Sequence, residues 1–259
     1  MFIKKMKKYF DFLFTIFIRK ISEKSFKYNN EKIKYIFYKN RKSKKIIIVF
    51  SACTRKGIKA RYNYIRTLKK IKENKLFILD DGGIDQRGTY YLGKYPDFEF
   101  EKGCLKLIDE ILKINNIEET YLIGSSKGGY SSLYYGLNIP KSRIIIGAPQ
   151  YFLGTYLSKC YQGVTLKSMN CNEITRIEFL DILLKNKIDN SNNKNKIYIQ
   201  YSTKDPTYKE HILYLLEDLK KANFCVEEEK LSYSNHNDVS LYFSDYIINI
   251  LKKNKVLEE

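Results

Sequence analysis

Two histidines, no tryptophan and four prolines are all that 259 residues contain of those types. With only His211 and His236 there is no paired spacing for a metal, and an imidazole base can come from just two places. The five cysteines, at 53, 104, 160, 171 and 225, are odd in number and form no C-x-x-C pair. Neither a disulfide framework nor a zinc site is indicated, and a reducing compartment is the simpler reading. Arginine is scarce too: 8 arginines stand beside 39 lysines. Nucleic-acid reading leans on arginine forks, and no nucleic-acid motif is present, so nucleic acid is not an expected partner. Acidic residues are outnumbered 29 to 47, giving a net charge of +18. That excess fits attraction to an anionic membrane or acidic glycan, and equally fits a Lys-rich codon bias.

No apolar run reaches the ~20 residues needed to span a bilayer. The N-terminus comes nearest. Met1–Lys8 is basic, and Tyr9–Ile18 is aromatic and apolar, interrupted by Asp11. Asp11 and the lack of a small-residue cleavage site argue against a signal peptide. Residues 1–25 are expected to form a basic aromatic helix, lying on a membrane surface or packed on the domain. Residues 30–259 are expected to form one catalytic domain.

Within that domain apolar strands alternate with helical patterns. Strands are expected at Lys32–Tyr38, Lys45–Phe50, Leu76–Leu79, Glu119–Ile123, Arg143–Ile146, Lys196–Tyr201 and Ala222–Glu228. Helices are expected at Ala60–Ile71, Lys102–Ile114, Gly129–Tyr135, Tyr208–Leu219 and Val239–Leu251. The run Ile46–Phe50 is wholly apolar, the mark of a strand covered on both faces. The fold class is α/β, a mostly parallel sheet with helices on both faces. Residues 151–195 read as irregular, with one helix near Glu173–Leu184, in the position of a lid.

One motif carries chemistry. Gly124-Ser-Ser-Lys-Gly128 matches G-x-S-x-G, the elbow that exposes a serine between a strand and a helix. The bland readings are a glycine-rich turn or a phosphate-cradling loop. As a nucleophile, Ser126 needs a base. His236 lies in a polar loop before the last helix, where such a fold carries its histidine. His211 opens an amphipathic run and reads as a helix-surface residue. Asp205, after the strand Lys196–Tyr201 and before Pro206, is the candidate third member, or an N-cap for the next helix. Asp238 is a weaker rival. Oxyanion donors are expected from the backbone amide of Lys127 and from Ala52 and Cys53 after Phe50. The Lys127 side chain is a candidate for an anionic substrate group, and the Cys53 side chain reads as filler.

Four stretches, Phe50-Ser-Ala-Cys-Thr54, Gly88-Thr-Tyr-Tyr-Leu-Gly93, Gly124-Ser-Ser-Lys-Gly-Gly129 and Gly147-Ala-Pro-Gln-Tyr-Phe152, resemble the XcbB/CpsF family of capsular polysaccharide biosynthesis proteins. The resemblance spans residues 45–240. More distantly the chain is similar to the glycan O-acetyltransferase component of the accessory Sec system. The resemblance implies an α/β-hydrolase-like fold and a cytoplasmic role in capsule assembly, peripheral to the inner membrane. A glycan or capsule precursor is then the expected partner, beside capsule-assembly proteins. Tyr90, Tyr91, Gln150 and Tyr151 are candidate substrate-binding residues, with Tyr130 near them, since aromatic faces suit sugar rings. No tightly bound cofactor is expected; acetyl-CoA is a candidate acyl donor. The leading function is Ser-His-Asp acyl transfer on a surface glycan, as O-acyltransferase or esterase. A non-catalytic assembly factor and a generic carboxylester hydrolase are the alternatives.

Overall fold

The computed structural model describes residues 18–159, 163–193 and 195–257. Most of the expected N-terminal helix lies outside them; residues 18–22 are helical and lead directly into the sheet. No helix among the described residues is long and apolar enough to cross a membrane.

Eight strands form one sheet: β1 (Glu23–Tyr28), β2 (Glu31–Tyr38), β3 (Lys45–Phe50), β4 (Asn74–Leu79), β5 (Glu119–Ser125), β6 (Arg143–Gly147), β7 (Lys196–Ser202) and β8 (Cys225–Leu231). Their spatial order is β1-β2-β4-β3-β5-β6-β7-β8. The pairings of β1 with β2 and of β2 with β4 are antiparallel, and the other five are parallel. The expected break between residues 25 and 30 is not there. β1 runs across residue 25 and pairs with β2 from Glu23 to Tyr28.

Side-chain alternation explains why the central strands read as unbroken apolar runs. Ile46, Ile48 and Phe50 of β3 enter one core, and Ile47 and Val49 enter the other, all fully buried. The first core is covered by α1 (Glu99–Ile114), α2 (Lys127–Gly136), α3 (Leu153–Lys159), α4 (Val164–Ser168), α5 (Ile174–Asp189) and α6 (Leu213–Lys221). The second is covered by α7 (Val239–Lys253) and the segment 60–71.

That segment corrects an expectation. Residues 60–71 form turns instead of a helix. Tyr64 has a left-handed φ of 60°, which interrupts any helical run, and the Ala60 amide donates to Gln86 O at 2.8 Å. Tyr62, Ile65, Leu68 and Ile71 are nevertheless buried, so the periodicity recorded burial without a helix. Residues 151–195 differ as well: most of the described part is helical, and Leu153, Leu157, Leu166, Leu180 and Leu184 belong to the main core. β8 starts three residues later than expected, because Ala222 and Asn223 still close α6, with Asn223 left-handed at φ 59°.

Candidate active site

β5 ends at Ser125 and α2 begins at Lys127, so Ser126 occupies the turn between them. Its φ of 52° and ψ of −121° lie in a region disfavoured for residues bearing a Cβ. The surroundings enforce it. The Ser126 amide donates to Gly147 O at 2.8 Å, and the Tyr130 amide donates to Ser126 O at 3.0 Å. A Cβ at Gly124 would strike the Gly128 carbonyl, and one at Gly128 would strike the Phe50 carbonyl. The two glycines let the turn close against itself and against β3.

His236 opens a short 3₁₀ turn, His236–Asp238, capped by Asn235, whose side chain accepts from the Asn237 amide at 3.0 Å. His236 Nε2 lies 3.0 Å from Ser126 Oγ, and Nδ1 lies 2.9 Å from Asp205 Oδ2. With Nδ1–H donating to the carboxylate, Nε2 is left to accept from the hydroxyl, the tautomer a general base needs. Asp205 follows β7 and fills both roles open to it in sequence. Oδ2 meets the imidazole, while Oδ1 accepts from the Thr207 amide at 3.0 Å. Burial pushes the Asp205 carboxyl up. The hydrogen bond and charge of His236, with the Thr207 amide, outweigh that and hold it below its ordinary value. Asp205 is 1 % exposed at its side chain and His236 is 25 % exposed, so solvent reaches the imidazole end only.

Gln150 adds a third partner to the serine. Its Nε2 donates to Ser126 Oγ at 3.1 Å, and its Oε1 accepts from Tyr90 O–H at 3.4 Å. The Lys127 amide is at the first position of α2, where helical amides lack intrahelical partners and the helix dipole favours negative charge. Cys53 lines the same cavity as Ser126. Ala52 does not serve as expected: its amide is committed to Asn63 Oδ1 at 2.8 Å. Sequence gave no sign of this, because Asn63 comes into place only through the turns of 60–71.

Other expectations need correction. Tyr91 is fully buried, accepting from the Ser51 amide at 2.6 Å and donating to Ile78 O at 3.0 Å. Tyr151 is fully buried and donates to Asp218 Oδ2 at 2.5 Å. Tyr130 is fully buried, and Tyr90 is 3 % exposed and packs edge-on against it. None of these rings offers a face to a sugar; Tyr90 instead supports Gln150 from behind. The Lys127 side chain is buried as well, 3.1 Å from Asp80 Oδ2 and 2.8 Å from Arg87 O, so it holds no substrate anion. Cys53 is exposed on the cavity rim and fills no core space. His211, expected on a helix surface, is 2 % exposed. A π-helical turn, Tyr208–Ile212, shifts the phase of the run and turns it inward. Its Nδ1 accepts from the Phe152 amide at 3.3 Å, and its ring lies against Phe152 and Tyr156. Burial, aided by the Lys159 charge, pushes its pKa down to about 4.

Two cavities flank His236. One, of about 630 Å³, contains Ser126, and Arg55, Arg61 and Arg66 are among its lining residues. The other, of about 510 Å³, is lined by Tyr156, Asp205, Pro206, Thr207, Ser234, Asn235 and His236.

Known structures share this framework. A capsule O-acetyltransferase of Neisseria meningitidis serogroup A superposes with a TM-score of 0.76 at 27 % identity, covering 88 % of this chain and 93 % of that one. The fold is that of the α/β-hydrolases. A histidine-to-alanine variant of the same meningococcal enzyme, in complex with CoA, matches with a TM-score of 0.73 at 25 % identity, covering 88 % of this chain and 94 % of that one. Among curated proteins, an accessory Sec system protein of Staphylococcus aureus is 34 % identical over 84 residues. That stretch is 32 % of this chain and only 16 % of the relative. No protein-family model matches. The solved structures thus bear out the likeness to a capsule protein, and the curated relative the likeness to an accessory Sec protein.

Proposed function

We propose that this chain is a serine-dependent O-acyltransferase acting on a surface glycan or its precursor, with a CoA thioester as acyl donor. The observation that carries the reading is the unbroken hydrogen-bonded line from Ser126 Oγ through His236 to Asp205. Ser126 Oγ attacks the thioester carbonyl while His236 Nε2 takes its proton. The developing oxyanion is held by the Lys127 and Cys53 amides. The imidazolium, steadied by Asp205, returns the proton to the departing thiolate. A sugar hydroxyl then gives its proton to His236 and attacks the acyl-serine, releasing the O-acyl sugar and restoring Ser126. Water in place of the sugar gives hydrolysis, so esterase activity is the same chemistry with a different acceptor.

The likeness to a capsule O-acetyltransferase supports the glycan acceptor, and the CoA complex of that neighbour supports the donor. The charge of +18 supports work beside an anionic membrane surface in the cytoplasm, with capsule-assembly proteins as neighbours. Two measurements test the reading. A fluorophosphonate probe should label the protein at Ser126 and fail to label Ser126→Ala. The same substitution should lower acyl transfer ~10⁴–10⁶-fold while leaving folding intact. Equal capsule acylation in cells carrying either protein would leave a non-catalytic assembly role.

A further inference from the structure

The two cavities beside His236 differ in charge, and the difference separates donor from acceptor. The larger one takes in Arg55, Arg61 and Arg66, three of the eight arginines in the chain, and no aspartate or glutamate is among its described lining residues. Apart from His236, no basic residue is among the described lining of the smaller one, which contains Asp205. A codon bias towards lysine does not explain three arginines lining one cavity. The loop that bears Arg55 is held in place. The buried Arg87 guanidinium donates to Thr54 O at 2.9 Å and to Asp85 Oδ2 at 2.7 Å, and Asn63 secures the Ala52 amide. The Arg87 carbonyl in turn accepts from Lys127 Nζ at 2.8 Å, which ties the arginine-bearing loop to the elbow that carries Ser126.

We infer that Arg55, Arg61 and Arg66 form a phosphate-binding wall for the nucleotide end of the acyl donor, and that the acceptor sugar enters through the second cavity beside His236. The inference rests on the acyl-transfer reading above. Guanidinium forks match phosphate oxygens bidentately, which suits them to the phosphates of a nucleotide. The larger cavity reaches from the arginines to Ser126, so a donor anchored there by its phosphates can extend its thioester to the serine. The acyl-enzyme then faces the second cavity, where a neutral hydroxyl meets the imidazole without crossing the donor's path. The same phosphate chemistry could come from a phosphodiester in the acceptor glycan, so the test is run without acceptor.

Thiol release from acetyl-CoA and from S-acetylpantetheine, which lacks the nucleotide and its phosphates, is compared with release of 4-nitrophenol from 4-nitrophenyl acetate. Acetyl-CoA should be preferred to S-acetylpantetheine by about a hundredfold in kcat/KM, mainly through KM, and raised salt should shrink the preference. Arg55→Ala and Arg66→Ala, both at exposed positions, should each reduce that preference about tenfold. Arg55→Lys should restore part of it, since lysine keeps the charge and loses the fork. Calorimetric titration of Ser126→Ala with CoA supplies a readout independent of turnover. CoA should bind, and adding Arg55→Ala should weaken it about tenfold. Equal use of the two thioesters, or CoA binding indifferent to the arginines, would overturn the inference. Arginine-dependent CoA binding by a protein whose wild type reacts with no ester would uphold the phosphate wall and defeat the acyl-transfer reading.

Discussion

Two acid–base pairs sit at the same edge of the sheet with nearly the same geometry. Lys127 Nζ is 3.1 Å from Asp80 Oδ2, and His236 Nδ1 is 2.9 Å from Asp205 Oδ2. The first pair is sealed, with side chains 1 % and 0 % exposed; the second opens to solvent at the imidazole, 25 % exposed. Every donor around Asp80 is spoken for. Its carboxylate also accepts from the Thr89 amide at 2.8 Å and the Tyr91 amide at 2.9 Å, and Lys127 lies over the Tyr91 ring at 5.1 Å. A pair enclosed in this way braces the elbow and the Thr89–Tyr91 turn, and has no route for exchanging protons. The Asp205 pair has one end anchored by the Thr207 amide and one end free to meet a substrate. Close approach of a carboxylate to a nitrogen base is therefore common to both, and solvent access decides which can do chemistry.

Breaking the open pair should have the larger effect. In Asp205→Asn the Thr207 amide claims the remaining oxygen, so the NH₂ group faces His236 Nδ1. That orientation forces the imidazole proton onto Nε2, which can no longer accept from Ser126. Acyl transfer should fall about 10⁴-fold, with little change in KM, measured as steady-state kinetics beside the rate of fluorophosphonate labelling. A loss under tenfold would mean that the carboxylate does not set the tautomer.

Breaking the sealed pair should instead appear as stability. Lys127→Met removes the ammonium and leaves the buried Asp80 carboxyl without its cationic partner, at a cost of about 3–5 kcal/mol. Urea unfolding should show this as a lower midpoint at unchanged slope. An unaltered midpoint would show that the Thr89 and Tyr91 amides suffice to hold the carboxylate.

The two histidines sharpen the contrast through pH. His211 is buried and titrates at about 4, below its ordinary value of 6.5. Its folded pKa is depressed, so between those values the unfolded chain binds the extra proton. Stability is full above pH 6.5, falls as the pH drops from 6.5 to 4, and flattens below. The loss is on the order of 3 kcal/mol. His211→Phe should flatten that slope in unfolding measured across the same range. A slope unchanged in His211→Phe would assign the acid sensitivity to other groups.

The smallest effect expected concerns Gln150. Gln150→Leu removes the donor to Ser126 Oγ and should lower kcat about tenfold while the fold persists. If kcat is unaltered, the contact only fills space in the resting state.

How much of this was legible in the sequence depends on range. The elbow could be read because its requirements are local: Gly124 and Gly128 are needed by backbone lying within a few residues or on the adjacent strand. The central strands could be read because burial on both faces leaves an unbroken apolar run. The positions of Asp205 and His236 could be inferred from chain order, each after a strand and before a helix. The pattern failed where a residue's partner is distant. Tyr90, Tyr91 and Tyr151 looked like ring platforms because nothing local marks a tyrosine whose hydroxyl will be buried against a carbonyl or carboxylate. The Ala52 amide looked free because Asn63 reaches it only through the turns of 60–71.

By itself the sequence determined the α/β alternation, the strained turn at Ser126 and the order of the three site residues, since periodicity, glycine spacing and chain order act over short range. Tertiary structure alone decided that Lys127 is a sealed brace, that His211 is buried, that Gln150 reaches the serine and that three of eight arginines line the cavity holding Ser126. These depend on which surfaces meet when the sheet is covered, and burial, charge pairing and solvent access follow from that meeting.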